Sequence, residues 1–143
     1  MTKAVYLERS PAKINLFLKV LDKREDGFHN LETLFQALEL SDHLTFEFNF
    51  ETHPSENLEF SLEIDSNSEE VKQLAEKNII AKAIELYFSE ITEDVLDKLS
   101  SISIKIFVDK QIPLEAGLAG GSGNAAASLR TLNKFFKEHF NFD

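Results

Sequence analysis

One stretch near the end of the chain says most about its fold: PLEAGLAGGSGNAAA, residues 113–127. Four of the five glycines in the chain lie here, and small residues follow them. Glycines let successive backbone N–H groups turn into one concavity, and a helix that begins there adds its unpaired N–H groups and the positive end of its dipole. The stretch therefore predicts an anion-binding loop at a helix N-terminus, with phosphate as the favoured anion.

Other kinds of glycine-rich loop fit the sequence less well. A Walker-type loop ends in Gly-Lys-Ser or Gly-Lys-Thr, and the missing lysine excludes it. A dinucleotide fingerprint is formally matched by Gly121 to Ala126, but that motif should follow its strand directly, and about a dozen residues separate Val108 from Gly121. A dinucleotide-binding domain, which needs a parallel βαβ unit around Gly121, stays an alternative, as does a merely flexible connection.

Upstream of the loop, apolar residues alternate with polar ones, which predicts strands. The predicted strands cover residues 13–20, 44–50, 58–64 and 102–108, with a further extended segment at 34–40. The polar turn at 53–57 predicts that the second and third of these form a hairpin. In the first, Lys13 and Asn15 share one side, and the other side is apolar.

Two segments have helical spacing instead. The first covers residues 78–88 with Ile80, Ala83, Ile84 and Tyr87 on one face. The second runs from about Gly123 to His139, with Ser122 as N-cap and a buried stripe of Ala125, Leu129, Leu132 and Phe136. Strands and helices together predict one α+β domain, residues 1–143, with a mixed or antiparallel sheet and helices on one face.

Composition limits the classes of function. The chain has 143 residues, 25 Asp+Glu against 15 Lys+Arg, and no cysteine. The acidic balance argues against nucleic acid and anionic membranes as partners, and the missing cysteines exclude thiol chemistry. Ten acidic residues and no Lys or Arg lie between Glu39 and Glu70, which we interpret as a solvated sheet face. Without an apolar run of ~20 residues or a signal sequence, the expected location is the cytoplasm.

Three motifs together carry a family resemblance. Ser10 to Leu18 (SPAKINLFL) and Asp26 to Gln36 (DGFHNLETLFQ), followed by the glycine-rich loop, resemble the start of the 4-diphosphocytidyl-2-C-methyl-D-erythritol kinases of the GHMP kinase superfamily. The resemblance continues through residues 76–80 and 108–113 and spans essentially the whole chain in the same order. It implies the N-terminal, ATP-binding domain of a GHMP kinase.

The resemblance also implies a reaction. These enzymes transfer the γ-phosphate of ATP, with Mg²⁺, to the 2-hydroxyl of 4-diphosphocytidyl-2-C-methyl-D-erythritol in non-mevalonate isoprenoid biosynthesis. Lys13 matches the family's active-site lysine, and no side chain is expected to bind a metal by itself. The implied contacts are Asn15, Phe28 and His29 for the substrate, Asn78 and Lys110 near the nucleotide, and for the ATP phosphates Pro113, Leu114, Glu115, Ala116, Gly117, Leu118, Ala119, Gly120, Gly121, Ser122 and Gly123.

This chain departs from the family pattern at several positions. Glu115 stands where the family has Gly or another small residue, Ala119 replaces Gly, Gly123 replaces Ser, and Phe28 replaces Tyr. Ala119 must then take a negative φ or a strained left-handed one.

A further departure concerns the catalytic aspartate. Family members are longer, and their catalytic Asp lies in a Gly-x-Asp-x-Pro segment that nothing after Asn124 matches. We expect a fragment without the C-terminal domain and without useful turnover, the alternative being a nucleotide-binding remnant.

Overall fold

The computed structural model describes residues 1–53, 57–73 and 78–141. It confirms the α+β class with a mixed four-stranded sheet. The elements follow in the order β1 (Thr2–Lys23), β2 (His29–Glu51), β3 (Glu59–Ser66), α1 (Glu69–Gln73), α2 (Ile79–Glu90), α3 (Glu93–Leu96), β4 (Ser101–Asp109) and α4 (Gly120–Phe140).

The strand order in the sheet is β1-β2-β4-β3. β2 is antiparallel to both β1 and β4, whereas β3 lies parallel to β4. The predicted hairpin between residues 44–50 and 58–64 is therefore wrong, because β4 lies between them. Alternation with period two reports which face a side chain takes and says nothing about which strand lies next to it. Residues 54–56 of the predicted turn lie outside the described residues.

The helices cover one face of the sheet, as predicted. Two rows of buried side chains form the sheet's half of the core: Leu44, Phe46, Phe48 and Phe50 of β2, and Ile102, Ile104, Ile106 and Val108 of β4. α2 and α4 pack on these rows with Ile80, Ile84, Phe135 and Phe136. On the opposite face, Glu47 pairs with Lys3 at 2.8 Å and Glu63 with Lys105 at 3.0 Å, so these two acidic residues point to solvent, as predicted. Asp42, in the same acidic stretch, is buried instead, and for this residue the prediction is wrong.

β1 and β2 continue beyond the sheet as a two-stranded ribbon. β4 pairs with β2 only from His43 to Glu51, while β1 and β2 go on pairing out to Lys23 and His29. The sequence predicts one apolar side for this segment, yet Leu16, Leu18 and Val20 are more than half exposed. In the described part of the chain neither a helix nor a third strand covers the ribbon, so alternation here does not lead to burial.

Helix α4 differs from its prediction at its start and in its buried face. It begins at Gly120, with Ala119 as N-cap, so Ser122 lies inside the first turn and is not the cap. Leu129 is 39% exposed, because the buried face runs instead through Ser128 and Thr131. Their hydroxyls donate to the carbonyls of Asn124 and Ala127, which lets small polar residues replace apolar ones in the core. Among the described residues no helix has both the length and the apolar character for crossing a membrane.

Candidate functional site

The glycine-rich loop encloses a cavity at the beginning of α4. This loop cavity has a volume of about 260 Å³ and is lined by Ile79, Lys110 and residues 113–122. All the predicted phosphate-binding residues except Gly123 therefore surround one space. The first bond of α4 runs from the Gly123 N–H to the Ala119 carbonyl at 2.8 Å, so the three preceding N–H groups have no acceptor within the helix. These donors and the helix dipole favour an anion here.

A second cavity adjoins the first. This apolar cavity has a volume of about 210 Å³, and four residues line both spaces: Ile79, Lys110, Leu114 and Gly121. Its other walls are mainly aliphatic, with Val71, Ile80 and Val108, and include Asn78 and Asn124. An apolar slot beside an anion site is the combination that a nucleotide requires, because its base is planar and largely apolar on its faces and its phosphates are charged.

Asn78, a predicted nucleotide contact, stands at the start of α2. It is the N-cap, and its Oδ1 accepts from the Ile80 N–H at 2.9 Å. This bond fixes the side chain at the wall of the apolar cavity, and Asn78 is only 9% exposed. Its capping role explains the start of α2, and its contact with a nucleotide stays a prediction.

Two loop residues adopt strained backbone conformations. Glu115 has a φ of 55° and Ala119 a φ of 61°, in the left-handed region that favours glycine. For Ala119 the strained alternative is therefore the correct one. The family that this sequence resembles has glycine at position 119, and glycine does not carry this penalty. In this chain both residues adopt the left-handed conformation although it is energetically unfavourable for a residue with a Cβ.

Ala119→Gly is expected to raise the free energy of unfolding by about 0.5–1 kcal/mol, because the left-handed penalty of a residue with a Cβ disappears and glycine's greater freedom when unfolded offsets only part of the gain. The matched control is Ala116→Gly, an exposed residue of the same loop without a positive φ, which should lower stability. Urea unfolding measures both. Equal losses in the two variants would contradict the assignment of strain to Ala119.

Gly123 lies against β1. A Cβ at this position would stand 2.7 Å from the Oγ of Ser10, a fully buried hydroxyl that has no hydrogen-bond partner among the described residues. The serine expected at position 123 from the family pattern would therefore collide with Ser10 unless one of them moved. Close approach of α4 and β1 accounts for the glycine.

The ribbon places Lys13 and Asn15 beside the glycine-rich loop. The Lys13 N–H donates to the Leu118 carbonyl at 3.1 Å, which joins β1 to the loop. The Lys13 ammonium donates to Asn15 Oδ1 at 2.7 Å and lies 5.1 Å from the centre of the Phe35 ring. The Asn15 amide in turn donates to Thr33 Oγ1 at 2.7 Å. The predicted catalytic lysine is thus held in a defined position next to the predicted phosphate site.

Phe28 and His29 lie at the other end of the ribbon. The turn is closed by Asp26, whose Oδ1 accepts from the Phe28 N–H at 3.1 Å, and it leaves the Phe28 ring 73% exposed. His29 pairs with Lys23, ten residues along β1 from Lys13, and the pairing of the two strands shifts register between Asn15 and Phe17 and again between Val20 and Lys23. The structure therefore does not bring Phe28 and His29 into contact with Lys13; they occupy opposite ends of one ribbon.

Lys110, the other predicted nucleotide contact, forms a buried ion pair. Its ammonium lies 3.0 Å from Asp42 Oδ2 and also donates to the Ile112 carbonyl, and its side chain is only 7% exposed. Lys110 lines both cavities, but its charge is already matched by Asp42. The sequence analysis missed Asp42. One signal was available, because Asp42 is in phase with the buried residues Leu44 and Phe46 of the same strand.

The environment of Asp42 keeps it ionised. Burial by itself raises the pKa of Asp42, but four donors outweigh it and hold that pKa below its ordinary value: the N–H groups of Ile112 and Gln111, the Lys110 ammonium and the Asn124 amide. A depressed folded-state pKa means that the stabilisation is fully present above ~pH 3.9, the ordinary aspartate value, and is lost as the pH falls through the folded-state pKa.

This geometry bears on the dinucleotide alternative and on metal binding. The parallel pair β3 and β4 is connected through residues 67–100, and Gly121 follows β4, so the described residues contain no parallel βαβ unit around Gly121. The dinucleotide alternative therefore lacks the unit it requires. Within residues 1–53, 57–73 and 78–141 there is also no group of three His, Cys, Asp or Glu side chains that could hold a metal ion.

A family profile and two curated relatives all relate this chain to kinases. The profile of the family described as "GHMP kinases N terminal domain" matches residues 78–143. The chain is 42% identical over 135 residues to a 4-diphosphocytidyl-2-C-methyl-D-erythritol kinase of Enterococcus faecalis, covering 91% of this chain and 40% of that protein. It is 46% identical over 130 residues to the kinase of that name from Prochlorococcus marinus, covering 90% and 36%.

Solved structures show the same relationship. A crystal structure of 4-(cytidine 5'-diphospho)-2C-methyl-D-erythritol kinase superposes with a TM-score of 0.61 at 31% identity, over 94% of this chain and 42% of that one. A homoserine kinase from Cytophaga hutchinsonii, 16% identical with a TM-score of 0.56 over 95% of this chain and 36% of that one, shares the fold. The chain spans 36–40% of the length of the two curated relatives described above.

Proposed function

We propose that this chain, which has the N-terminal domain of the GHMP kinases and corresponds to the first part of their 4-diphosphocytidyl-2-C-methyl-D-erythritol kinases, binds ATP for phosphorylation of the 2-hydroxyl of that cytidine diphosphate ester in isoprenoid biosynthesis. One observation carries the proposal: the hydrogen bond from Lys13 to Leu118, which joins the lysine strand to the loop that encloses the anion site. Phosphoryl transfer needs these two features side by side.

In this proposal ATP occupies both cavities. Its phosphates lie in the loop cavity, where the N–H groups at the start of α4 bind them, and its base enters the apolar cavity beside Ile80 and Val108. Mg²⁺ arrives with the triphosphate as part of the substrate, since it is commonly bound through phosphate oxygens and waters with few protein ligands. Asn78 and Lys110 contact the nucleotide from the shared wall.

Lys13 acts on the accepting hydroxyl. Its ammonium stabilises the negative charge that develops on the attacking oxygen, and Asn15 holds that ammonium in place at 2.7 Å. Phe28 and His29 bind the cytidine end of the substrate, with the exposed ring of Phe28 available for stacking. Both ligands are charged and soluble in water, so we place the protein in the cytoplasm. The Gly-x-Asp-x-Pro pattern does not occur within these 143 residues, and we expect them, assayed alone, to bind ligands without useful turnover.

Calorimetric titration of the 143-residue chain tests this function. MgATP is expected to bind with a Kd at or below the millimolar range, and NAD⁺ is expected to give no heat above dilution. Binding of NAD⁺ in place of ATP, or of neither, would contradict the proposal. Turnover of ATP and the cytidine diphosphate ester at the rate of a complete kinase would contradict the expectation that the chain is inactive by itself.

The variant Phe28→Ala provides a matched control for the substrate end. Because Phe28 lies in the turn of the ribbon, away from both cavities, the substitution should leave the Kd for MgATP unchanged. It should weaken binding of cytidine diphosphate about tenfold, since stacking on an aromatic ring contributes roughly 1–3 kcal/mol per base. Unchanged cytidine diphosphate affinity would remove Phe28 from the proposed site.

A further inference from the structure

Asp42 occupies a special place in the fold. It lies in β2 opposite Ser10 of β1, close to the point where the ribbon leaves the sheet, and it is fully buried. It belongs to the acidic stretch from Glu39 to Glu70, whose strand residues Glu47 and Glu63 point to solvent. A carboxylate placed on the buried side needs partners, because burying an unpaired charge is strongly unfavourable.

The partners of Asp42 come from both ends of the glycine-rich loop. At the entrance, the N–H groups of Gln111 and Ile112 each donate to Oδ1 at 2.8 Å. At the exit, the Asn124 amide donates to Oδ2 at 2.8 Å, and the Lys110 ammonium lies 3.0 Å from the same oxygen. One side chain thus ties together Lys110, Gln111 and Ile112, which lead into the loop, and Asn124, which directly follows the first turn of α4.

The loop between these points needs such anchoring. Its backbone is strained at Glu115 and Ala119, and strained conformations persist only where the surroundings enforce them. Among the described residues, the middle of the loop is joined to a strand by the hydrogen bond from the Lys13 N–H to the Leu118 carbonyl. Rigid placement of the loop therefore depends on the contacts at its two ends, and the Asp42 carboxylate makes contacts at both.

The ion pair also determines what the loop cavity offers to a ligand. Lys110 reaches the wall of that cavity, but Asp42 neutralises its charge. The groups left to bind an anion are the backbone N–H groups at the start of α4, whose positions depend on the loop geometry. A backbone site of this kind binds well only when its donors are held in place beforehand.

We propose that Asp42 is the positioning residue of the phosphate-binding site, holding the entrance of the glycine-rich loop and the first turn of α4 in the arrangement that binds a triphosphate. This inference rests on the proposed function for the identity of the ligand. The anchoring itself rests on the four contacts of the carboxylate.

Asp42→Asn in the 143-residue chain tests the inference. The amide keeps one oxygen for the two backbone N–H groups but presents no negative charge to the Lys110 ammonium. Its NH₂ takes the place of the oxygen that accepts from Asn124, so that two donors face each other. Hydrogen exchange followed by NMR is expected to show at least tenfold faster exchange of the amides of residues 111–123, with unchanged exchange at 102–108 of β4. The Kd for MgATP is expected to rise at least tenfold. Glu47→Gln, the same chemical change at a solvent-facing position of β2, should alter neither quantity.

A second variant separates positioning from simple loss of stability. Asp42→Asn combined with Lys110→Met removes the unpaired buried ammonium while keeping an acceptor for Gln111 and Ile112. It should unfold at higher urea than Asp42→Asn alone and recover part of the ATP affinity. It also keeps the test usable if the single variant does not fold.

The outcomes distinguish the two proposals. Exchange that accelerates equally in loop and sheet, or a Kd for MgATP that stays unchanged while the loop loosens, would overturn the positioning role. If the wild-type chain binds no MgATP but Asp42→Asn still loosens residues 111–123 selectively, the anchoring by Asp42 stands and the proposed function is overturned.

Discussion

Gly120→Val is expected to weaken MgATP binding about a hundredfold, a loss of about 2.7 kcal/mol of binding free energy. Gly120 is the first residue of α4, where the helix passes directly over the buried pair of Lys110 and Asp42. A Cβ at position 120 would stand 3.1 Å from the Lys110 Nζ and 3.3 Å from Ile112 Cγ2. Valine adds two methyl groups at a place where the Cβ alone already crowds both neighbours.

The physical consequence is a displaced helix start. To accommodate valine, either the start of α4 must move away from the loop or Lys110 must move away from Asp42. The second movement would leave the buried Asp42 carboxylate without its ion-pair partner, which is strongly unfavourable. Either movement shifts the N–H groups that are proposed to bind the phosphates. In enzymes a misplacement of about 1 Å can lower the reaction rate by about 10²-fold, and we expect an effect of similar size on binding to backbone donors whose positions are fixed.

The neighbouring glycine supplies the matched control. A Cβ at Gly121 would meet only Ile79 Cγ2 at 3.6 Å, an ordinary contact, so Gly121→Ala should fold and gain up to about 1 kcal/mol from helix propensity. Gly120→Ala, the same change one residue earlier, should instead lose stability. The measurements are urea unfolding of the alanine pair and calorimetric titration of Gly120→Val with MgATP. Wild-type affinity in Gly120→Val would contradict both the tight packing and the placement of phosphate at this helix start.

Local sequence patterns predicted much of the fold and of the site. The alternation of Ile102 to Val108 and the helical spacing after Asn78 gave β4 and α2 nearly to the residue, because these patterns follow directly from burial on one side. The glycine-rich composition predicted a loop whose residues surround one space at the start of α4, and the structure has such a cavity; anion binding there stays a prediction. Lys13 could be placed beside that loop only through the family resemblance, since no spacing rule connects residues so far apart in the chain.

What the sequence missed depends on contacts between distant segments. The parallel pairing of β3 with β4 is invisible to alternation, which is why a hairpin was expected between residues 44–50 and 58–64. Asp42 was predicted to lie on the acidic surface because its partners Lys110 and Asn124 are 68 and 82 residues away in the sequence, beyond the reach of any local pattern. Leu129 was predicted to be buried because leucine is apolar. Ser128 is buried instead, because its hydroxyl donates to the Asn124 carbonyl within α4.

Phe135→Ala is expected to have the largest effect on stability, lowering the free energy of unfolding by about 3–5 kcal/mol. Phe135 is fully buried where α4 crosses the sheet, and its ring stacks on Phe48 with centroids 4.2 Å apart. Edge contacts at 5.1 Å connect it to both Phe50 and Phe136. Alanine would leave a ring-sized cavity between two rigid elements that cannot close around it.

Such a loss is a large part of the 5–15 kcal/mol that stabilises a typical domain, and it should lower the Tm by roughly 6–20 °C. Urea unfolding followed by circular dichroism measures it. Phe28→Ala is the matched control, because the same side chain is removed from a position where it is 73% exposed, and the change should stay within about 0.5 kcal/mol. Phe135 touches neither cavity, so the remaining folded Phe135→Ala chain should keep its Kd for MgATP. Equal destabilisation by the two variants would contradict a core centred on α4 and β2. It would mean that the Phe28 ring is buried to the same extent as the Phe135 ring.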